Sequence, residues 1–306
     1  MKRLRIEPDV LGKRLSIRTP RGDFVGELIV IQDQSIQLLT RTGPTLIQAA
    51  EISAWRVVGA PRGSGSPLTA RIDQVEWASH LTWAAPIQQE YDSWWLRAAN
   101  GFSLRANSVL PVRAPGLVKD LSKSLQVVKD FYDQQGINPL IQIPQPSYQP
   151  LQQELMACGW QPKHHVLVMT ARNWKFSLSA EIKVHRTPSP AWLSLHDRNP
   201  DETGMKVLTS GEPYFLELCK GEELIAIARL GIAHEWVGLS AVKVKTEFHR
   251  MGKGELIVTH ALALATSLGI HQAFLQVDPG NAPAIGLYQK LGFSEHHTNI
   301  FLTGSQ

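Results

Sequence analysis

The sequence predicts an α+β protein with a small β-barrel at its start and two copies of one strand–helix–strand unit behind it. Two observations carry this prediction. Residues 1–60 hold short apolar or alternating runs separated by turn residues, and residues 138–160 and 272–293 share one order of strand, Pro-containing turn, short helix and Gly-aromatic pair. Each of the two segments leads into a strand that carries a His-His pair.

Length and composition fit a folded protein of two or three domains. The chain has 306 residues, of which 43% are hydrophobic and 19% charged. Its net charge of +4, from 31 basic and 27 acidic residues, is too small and scattered to indicate nucleic acid. A basic site for a phosphorylated small molecule accounts for it, so we expect no nucleic-acid partner.

The cysteines and the N-terminus indicate a cytoplasmic protein. Cys158 and Cys219 are far apart and lack metal-ligand spacing, which predicts buried, reduced thiols, no disulfide and no metal. The basic N-terminus lacks the apolar stretch of a signal peptide, and no apolar run approaches the roughly 20 residues of a membrane span. We therefore expect no membrane partner.

Four segments before residue 60 have strand character: LSIRTP, FVGELIVIQ, SIQLLTRT and TLIQAAEISAWRVV. Four or five short strands in so little chain predict a barrel at residues 1–60. A stretch rich in Gly, Pro and Ser follows, which places a linker at residues 61–72. The repeat then divides the remainder into a first copy at 73–175 and a second at 176–306.

The second copy contains a turn suited to binding an anion. A predicted strand at residues 237–245 runs into a glycine turn that opens a helix. Gly252 and Gly254 let the backbone approach a ligand closely, and the N–H groups of the first helical turn lack partners. Together with the helix dipole they predict a pyrophosphate site, to which His249, Arg250 and Lys253 add charge.

Two motifs in the second copy resemble the signatures of the GNAT (GCN5-related N-acetyltransferase) superfamily. The first, Arg/Gln-x-x-Gly-x-Gly/Ala, corresponds to His249-Arg250-Met251-Gly252-Lys253-Gly254, with His in the usual Arg/Gln place. The second is Asn-x-x-Ala-x-x-Leu-Tyr-x-x-x-Gly-Phe, matched by Asn281, Ala284, Leu287, Tyr288, Gly292 and Phe293.

The resemblance implies an α/β/α fold with a mixed central sheet and acetyl-CoA between its fourth and fifth strands. Val242 and Val244 would offer main-chain groups to the thioester and pantetheine, residues 249–254 would hold the pyrophosphate, and Asn281 would contact the cosubstrate. Tyr288 would also contact it, as the general acid that protonates the departing thiolate. A neutral amine would attack the thioester directly, with a strand amide holding the oxyanion.

The base that deprotonates the amine is less evident. Many GNAT proteins carry a glutamate on the fourth strand, about eleven residues before the phosphate loop, but Gly238 and Ser240 occupy that region. The alternatives, which stay open, are a water chain or one of three nearby residues. These residues are Glu217, His234 and Glu235.

The first copy is predicted to be degenerate and unable to bind CoA. VRAPGLVKDLSKS stands where a phosphate loop is expected, and the Tyr288 position falls on Gln153 or Glu154. This copy can still line the acceptor site, where Arg97, Arg105 and Asn107 could bind a carboxylate. For any one of them, pairing with local acids or carbonyls is the favoured alternative.

Over essentially its full length the chain resembles an actinobacterial group with an N-terminal SH3-like barrel. Members are assigned as N-acetylglutamate synthases of arginine biosynthesis or as histone-type acetyltransferases. The leading hypothesis is acetylation of a small-molecule amine, the α-amino group of L-glutamate. The alternatives are acetylation of a protein lysine or N-terminus, and a non-catalytic CoA-binding regulator. The barrel has no catalytic motif, so oligomer contacts or regulatory binding are the expectations for it, and a homo-oligomer is possible.

Overall fold

The computed structural model describes Ile6, Val10 and residues 14–32, 34–40, 43–58, 72–111, 120–196 and 198–304. Most of the linker predicted at residues 61–72, and the first eight residues of VRAPGLVKDLSKS, lie outside these ranges. The predicted β-rich start and the α+β remainder are both present.

The N-terminal strands form a five-stranded antiparallel sheet in the order β4-β3-β2-β1-β5. The strands are β1 (Arg14–Thr19), β2 (Gly22–Ile31), β3 (Ser35–Thr40), β4 (Gly43–Gln48) and β5 (Ala54–Val57). Alternation places Leu15, Ile17, Leu28, Leu38 and Ile47 in one small core. Among the described strands β4 pairs only with β3 and β5 only with β1, so closure as an SH3-like barrel stays a prediction.

Residues 72–304 are built on one mixed eight-stranded sheet in the order β11-β12-β13-β14-β15-β10-β16-β9. Its strands are β9 (Leu140–Gln145), β10 (Gln161–Arg172), β11 (Ile182–His185), β12 (Tyr214–Lys220), β13 (Glu223–Ala233), β14 (Trp236–Val244), β15 (Gln272–Val277) and β16 (Ser294–Thr303). A smaller sheet contains β6 (Ile87–Tyr91), β7 (Trp94–Ala98) and β8 (Leu110–Pro111).

Seven helices lie in the described residues of this part. They are α1 (Ile72–Thr82), α2 (Leu121–Gln135), α3 (Gln149–Ala157), α4 (Pro190–Leu195), α5 (Glu202–Leu208), α6 (Lys253–Ser267) and α7 (Ala282–Lys290). Local chemistry sets their ends: the Asp120 carboxylate accepts the Lys123 N–H at the start of α2, and Gly136 ends that helix at a φ of 64°. Helix α6 packs on one sheet face and α1 on the other.

The two predicted copies exchange their last strands. Strand β10 ends the first copy but lies between β15 and β16 of the second, and β16 in turn lies between β10 and β9. The β10–β16 pairing includes Val166 opposite Asn299 and Leu167 opposite Thr298, which relates the two halves by an approximate two-fold axis. Every strand pair in this exchange is antiparallel.

The helices α3 and α7 of the repeat end with the same hydrogen-bonding pattern, and this pattern corrects the predicted alignment of the two copies. The Trp160 N–H donates to the Leu155 carbonyl at the end of α3, as the Phe293 N–H donates to the Tyr288 carbonyl at the end of α7. The glycines before Trp160 and Phe293 have φ values of 90° and 89°. The first-copy counterpart of Tyr288 is therefore Leu155, not Gln153 or Glu154, and this side chain cannot donate a proton.

The thiols and helices refine two other expectations. Cys158 and Cys219 are unbonded, but Cys158 is exposed and Cys219 half-buried, so the expectation of buried thiols is wrong. Cys158 ends the short helix α3, where its side chain points away from the core. None of the helices in the described ranges is both long and apolar enough to cross a bilayer.

A buried carboxylate joins α1 to the exchanged strands. The Glu76 Oε1 atom accepts hydrogen bonds from His297 Nε2 at 2.7 Å and Asn299 Nδ2 at 2.8 Å, while Gln142 donates to Oε2. Burial alone would raise the pKa of Glu76, but the hydrogen bond and charge of His297, with the bond from Asn299, hold it below its usual value.

Replacing Glu76 by Gln should destabilise the fold by about 3–5 kcal/mol, since a buried group would lose its charged partner. The lowered pKa means that the carboxylate stabilises the fold above its unfolded-state pKa, and that this contribution is lost as pH falls through the folded-state value. Urea unfolding at pH 7 and pH 4 measures both effects. Glu154→Gln on the exposed face of α3 is the control and should change stability by less than about 0.5 kcal/mol.

Candidate active site

The two strands at the centre of the large sheet separate and open a cleft. Strands β14 and β15 run parallel and pair with each other from Trp236 and Gln272 as far as Leu239 and Leu275, after which the two strands separate while each stays paired with its other neighbour. Beside the opening, Ala241 and Val242 of β14 oppose one residue of β13, and Ala241 has a φ of 51°. This β-bulge releases main-chain groups from the ladder at the cleft.

The cleft has a volume of about 690 Å³ and is rich in cationic and imidazole side chains. It is bounded by β14, by the end of β15, by the start of β10, and by two loops that belong to different copies. The polar and charged residues that line the cleft are Ser103, Arg105, Lys163, His164, His165, His196, Arg198, Ser240, Lys243, Gln276 and Asp278.

The predicted anion site lies at the start of α6. Gly252 has a φ of 72° and its carbonyl accepts the Leu256 N–H, so the amides of Lys253, Gly254 and Glu255 precede the first helical bond. These amides have no acceptor in the described part of the chain. Arg250 and Met251 are exposed beside them, and Lys253 is partly exposed.

His249 ties the anion site to the open strand. Its Nε2 donates to the Val244 carbonyl at 2.9 Å, which explains how a histidine serves in the usual Arg/Gln place. Lys245 N–H donates to the Ile225 carbonyl, so by alternation the N–H of Val244 points away from β13, toward the separated strands. The bulge at Val242 and the N–H of Val244 thus face the same opening.

Helix α7 carries the other two residues of the predicted cosubstrate site. Asn281 caps the helix, with its Oδ1 accepting the Ala284 N–H at 3.2 Å, so its amide nitrogen remains exposed. Tyr288 is buried against Phe293, and burial raises its pKa to about 12. The phenol is therefore protonated at neutral pH. The side chain does not itself line the 690 Å³ cleft, whose residues are all within the described ranges.

The first copy contributes a cation to the cleft. The Arg105 guanidinium donates to Ser79 Oγ at 2.9 Å and lies 5.1 Å from the centre of the Trp83 ring. Arg229, from the second copy, lies 4.9 Å from the same ring. Burial lowers the pKa of each arginine to about 9, which leaves both charged at pH 7. No acidic side chain of the described residues pairs with Arg105.

Arg97 and Asn107 have other partners. Arg97 is buried and donates to the Ser108 carbonyl and to Gln142 Oε1, both at 2.8 Å, within the network around Glu76. Asn107 Oδ1 accepts the N–H groups of Ala99 and Gly101 and shapes the loop before it. Neither residue lines the cleft, so the alternative of local pairing fits both better than carboxylate binding.

The structure shows why the expected glutamate is missing. A Cβ atom on Gly238 would lie 2.6 Å from the Phe274 ring and 2.9 Å from Thr82 Oγ1, so no side chain fits there. Of the alternatives, Glu235 follows His234 and accepts a hydrogen bond from Gln272, at the end of β15 that lies away from the cleft. Glu217, on β12, accepts a hydrogen bond from Ser189 at the start of α4. None of these three lines the cleft.

Several residues that line the cleft, and Arg229 beside the cleft residue Trp83, were not singled out from the sequence. Ala241 and Arg229 carry no sequence signal, because a bulge and a buried guanidinium follow from packing. Arg198 lies in the α4–α5 loop, where its Nη1 donates to the Phe102 carbonyl at 2.7 Å. His164 and His165 did carry a signal, since the repeat displayed them as a pair.

Comparisons with known proteins agree with this geometry. The family model described as "Probable histone acetyltransferase Rv0428c C-terminal" matches residues 69–302. The chain belongs to this family. Its relative "Probable histone acetyltransferase Rv0428c" of Mycobacterium tuberculosis is 26% identical over 306 residues, covering 94% of this chain and 93% of that protein.

Two solved structures show that this family member has the GNAT fold. A GCN5-related N-acetyltransferase from Kribbella flavida has a TM-score of 0.60 at 14% identity, covering 77% of this chain and 96% of that one. A tandem GNAT protein from the clavulanic acid biosynthesis pathway has a TM-score of 0.51 at 11% identity, covering 80% and 90% respectively. The chain is thus an acetyltransferase of the GNAT superfamily, whose members use acetyl-CoA.

Replacing Gly252 by Val should weaken acetyl-CoA binding. A side chain at a φ of 72° costs about 1–2 kcal/mol and would turn the anion-binding amides away. Losing one hydrogen bond to a charged group, about 1.5 kcal/mol, raises Kd at least about tenfold. Calorimetric titration measures this.

The control for this variant is Gly136→Val at the end of α2. Its φ is 64° and, as at Gly252, nothing lies within 4 Å of the added carbon. Both variants therefore carry similar backbone strain. Equal acetyl-CoA affinity in the two would contradict the assignment of the Gly252 turn to phosphate binding.

Proposed function

We propose that this chain transfers an acetyl group from acetyl-CoA to the α-amino group of a small acidic acceptor, with L-glutamate as the leading candidate. The observation that carries the proposal is the unpaired Arg105 cation in the cleft. It lies among further cationic groups beside the opening between β14 and β15. A site of this kind suits a substrate with one or more carboxylates.

The residues present fit acetyl-CoA. The free amides at the start of α6 suit a pyrophosphate, and Gly254 keeps that turn close to α7, since a Cβ there would lie 3.3 Å from Leu287. The N–H of Val244 and the bulge at Ala241–Val242 offer donors to an extended amide-containing arm. When bound, acetyl-CoA supplies the activated acyl group.

Each of these protein groups has a role in the proposed reaction. The cationic lining holds the acceptor carboxylate and thereby orients the amine. Main-chain N–H groups of the bulge at Val242 stabilise negative charge on the carbonyl oxygen. Tyr288, kept protonated by burial, gives its proton to the departing thiolate.

Acetylation of a protein amine is the second candidate, and the names of the relatives favour it. The matched family and the Mycobacterium tuberculosis relative are both described as probable histone acetyltransferases. A protein acceptor requires an open groove, and several charged lining residues, including Arg198 and Lys163, are exposed. CoA release with each free amino acid, and then with a lysine-containing peptide, separates the two functions. Turnover with the peptide alone would contradict the small-acceptor proposal.

Replacing Tyr288 by Phe should lower kcat by about 100-fold and leave the Kd for acetyl-CoA unchanged, since only the transferable proton is removed. The assay is CoA release at saturating acetyl-CoA. Tyr91→Phe makes the same chemical change on β6, a strand that contributes no residue to the predicted cosubstrate site or to the cleft, and should retain full turnover. Full activity in the Tyr288 variant would exclude it as the acid.

Replacing Arg105 by Gln should raise the KM for glutamate by about 10- to 100-fold, the range expected for losing a hydrogen bond to a charged group. Steady-state kinetics with glutamate and with an uncharged primary amine give the comparison. The loss should be confined to glutamate. An equal loss with both acceptors would show that Arg105 acts only by holding Trp83 and Ser79 in place.

A further inference from the structure

We propose that His164, supplied by the exchanged strand of the first copy, is the general base that deprotonates the acceptor amine. The inference rests on the proposed function, because it names a further catalytic residue for that reaction. It begins from the steric result at Gly238: the position expected to carry a glutamate has no room for a side chain. A base on another element that lines the cleft would take this role.

The fold places His164 on the acceptor side of the sheet. Leu167, Leu239 and Leu275 pack with α6 on one face. Val168 and Phe274 pack with Val75 and Ala78 of α1 on the other. The β10–β16 register is regular from His164 to Val168, so His164 projects from the same face as Val168, and His165 from the opposite face.

The acceptor-binding residues lie on that same face. Ser79 of α1 accepts hydrogen bonds from both Arg105 and Gln276, two residues that line the cleft with His164. A carboxylate bound by Arg105 and an amine deprotonated by His164 would therefore lie on the same side of the sheet.

The imidazole of His164 is free to accept a proton. It is half-buried and has no hydrogen-bond or ion-pair partner among the described residues, in contrast to Asp278 and His196, which also line the cleft. Asp278 accepts the Gly280 N–H at 2.7 Å, and His196 contacts the Arg198 carbonyl through its Nδ1. Histidine is also the side chain whose ordinary titration lies nearest neutral pH.

The proton balance is complete with residues already described. The acceptor enters as an ammonium ion and gives one proton to His164. The freed lone pair forms the C–N bond at the thioester carbonyl as the C–S bond breaks, and Tyr288 protonates the sulfur. The second nitrogen proton restores Tyr288 through solvent, and His164 returns its proton to water. One amide, one thiol and one proton result.

The test compares His164→Gln with His271→Gln, a histidine that is exposed just before β15 and does not line the cleft. The first variant should lose about 100-fold or more in kcat at pH 7, with the Kd for acetyl-CoA unchanged. Its rate should recover as pH approaches the range in which the amine deprotonates in solution. The second variant should stay within threefold of the wild type.

The pH profile has to be measured with the other titratable and charged groups of the cleft intact. Those facing it are Lys163 and His165 of β10, Lys243 of β14, Asp278 after β15, Arg105, His196 and Arg198. In the wild type the acidic limb should follow one group. In His164→Gln that limb should be lost, and in His164→Ala added imidazole should restore turnover.

A second readout does not depend on turnover. In ¹⁵N-labelled protein the ring signals of His164, assigned by their absence from His164→Gln, should shift when glutamate is added to the acetyl-CoA complex, and those of His271 should not. Retained activity at pH 7, equal losses in the two variants, or an unperturbed ring would each overturn the inference. His164→Asn replaces the Gln variant if that one fails to fold. A wild type that releases no CoA with any amine would overturn the proposed function as well, whereas an active wild type with an active variant overturns only the role of His164.

Discussion

The exchange of β10 and β16 is the constraint on which the rest of the large domain depends. Because β10 pairs with β15 on one edge and β16 on the other, the wall of the second copy's cleft is made by the first copy. The same pairing brings His297 and Asn299 of β16 to Glu76 on α1. One antiparallel ladder thus fixes both the buried polar network and the supply of polar groups to the open end of β15.

The buried charged side chains of this domain differ in how many hydrogen-bond partners they have. The Glu76 carboxylate is surrounded by donors, and Arg97, bonded to Gln142, extends that network toward β7. Arg229 satisfies its guanidinium with backbone carbonyls, including those of Leu208 and Thr82. At Arg105 the pattern changes, since one hydroxyl and one indole ring are its neighbours. Arg105 lines the cleft, where an anionic acceptor would meet its charge.

The sequence predicted the elements of this fold better than their arrangement. The short strands before residue 60 and the short helices α3 and α7 of the repeat were located from the sequence, because those signals are local. The glycine turn that opens α6 was also predictable, since Gly252 and the helix after it are adjacent in sequence. The strand exchange, the bulge at Ala241 and the burial of Arg97 were not, because each depends on which distant segments pair. The sequence alignment also failed to match Tyr288 with Leu155. That match follows from the hydrogen bonds at the ends of α3 and α7 and not from the identity of the residues.

The exchanged strands also bear on how such a chain can change over time. The first copy has Leu155 where the second has Tyr288, so it lacks the phenol that the second copy offers. Yet a deletion that removed it would take β10 out of the middle of the sheet and leave β15 and β16 with unpaired edges. A duplicated half that has become structurally indispensable is free to vary in its loops but not to disappear. New acceptor specificities would therefore arise by drift in the inactive half, with the catalytic half held constant.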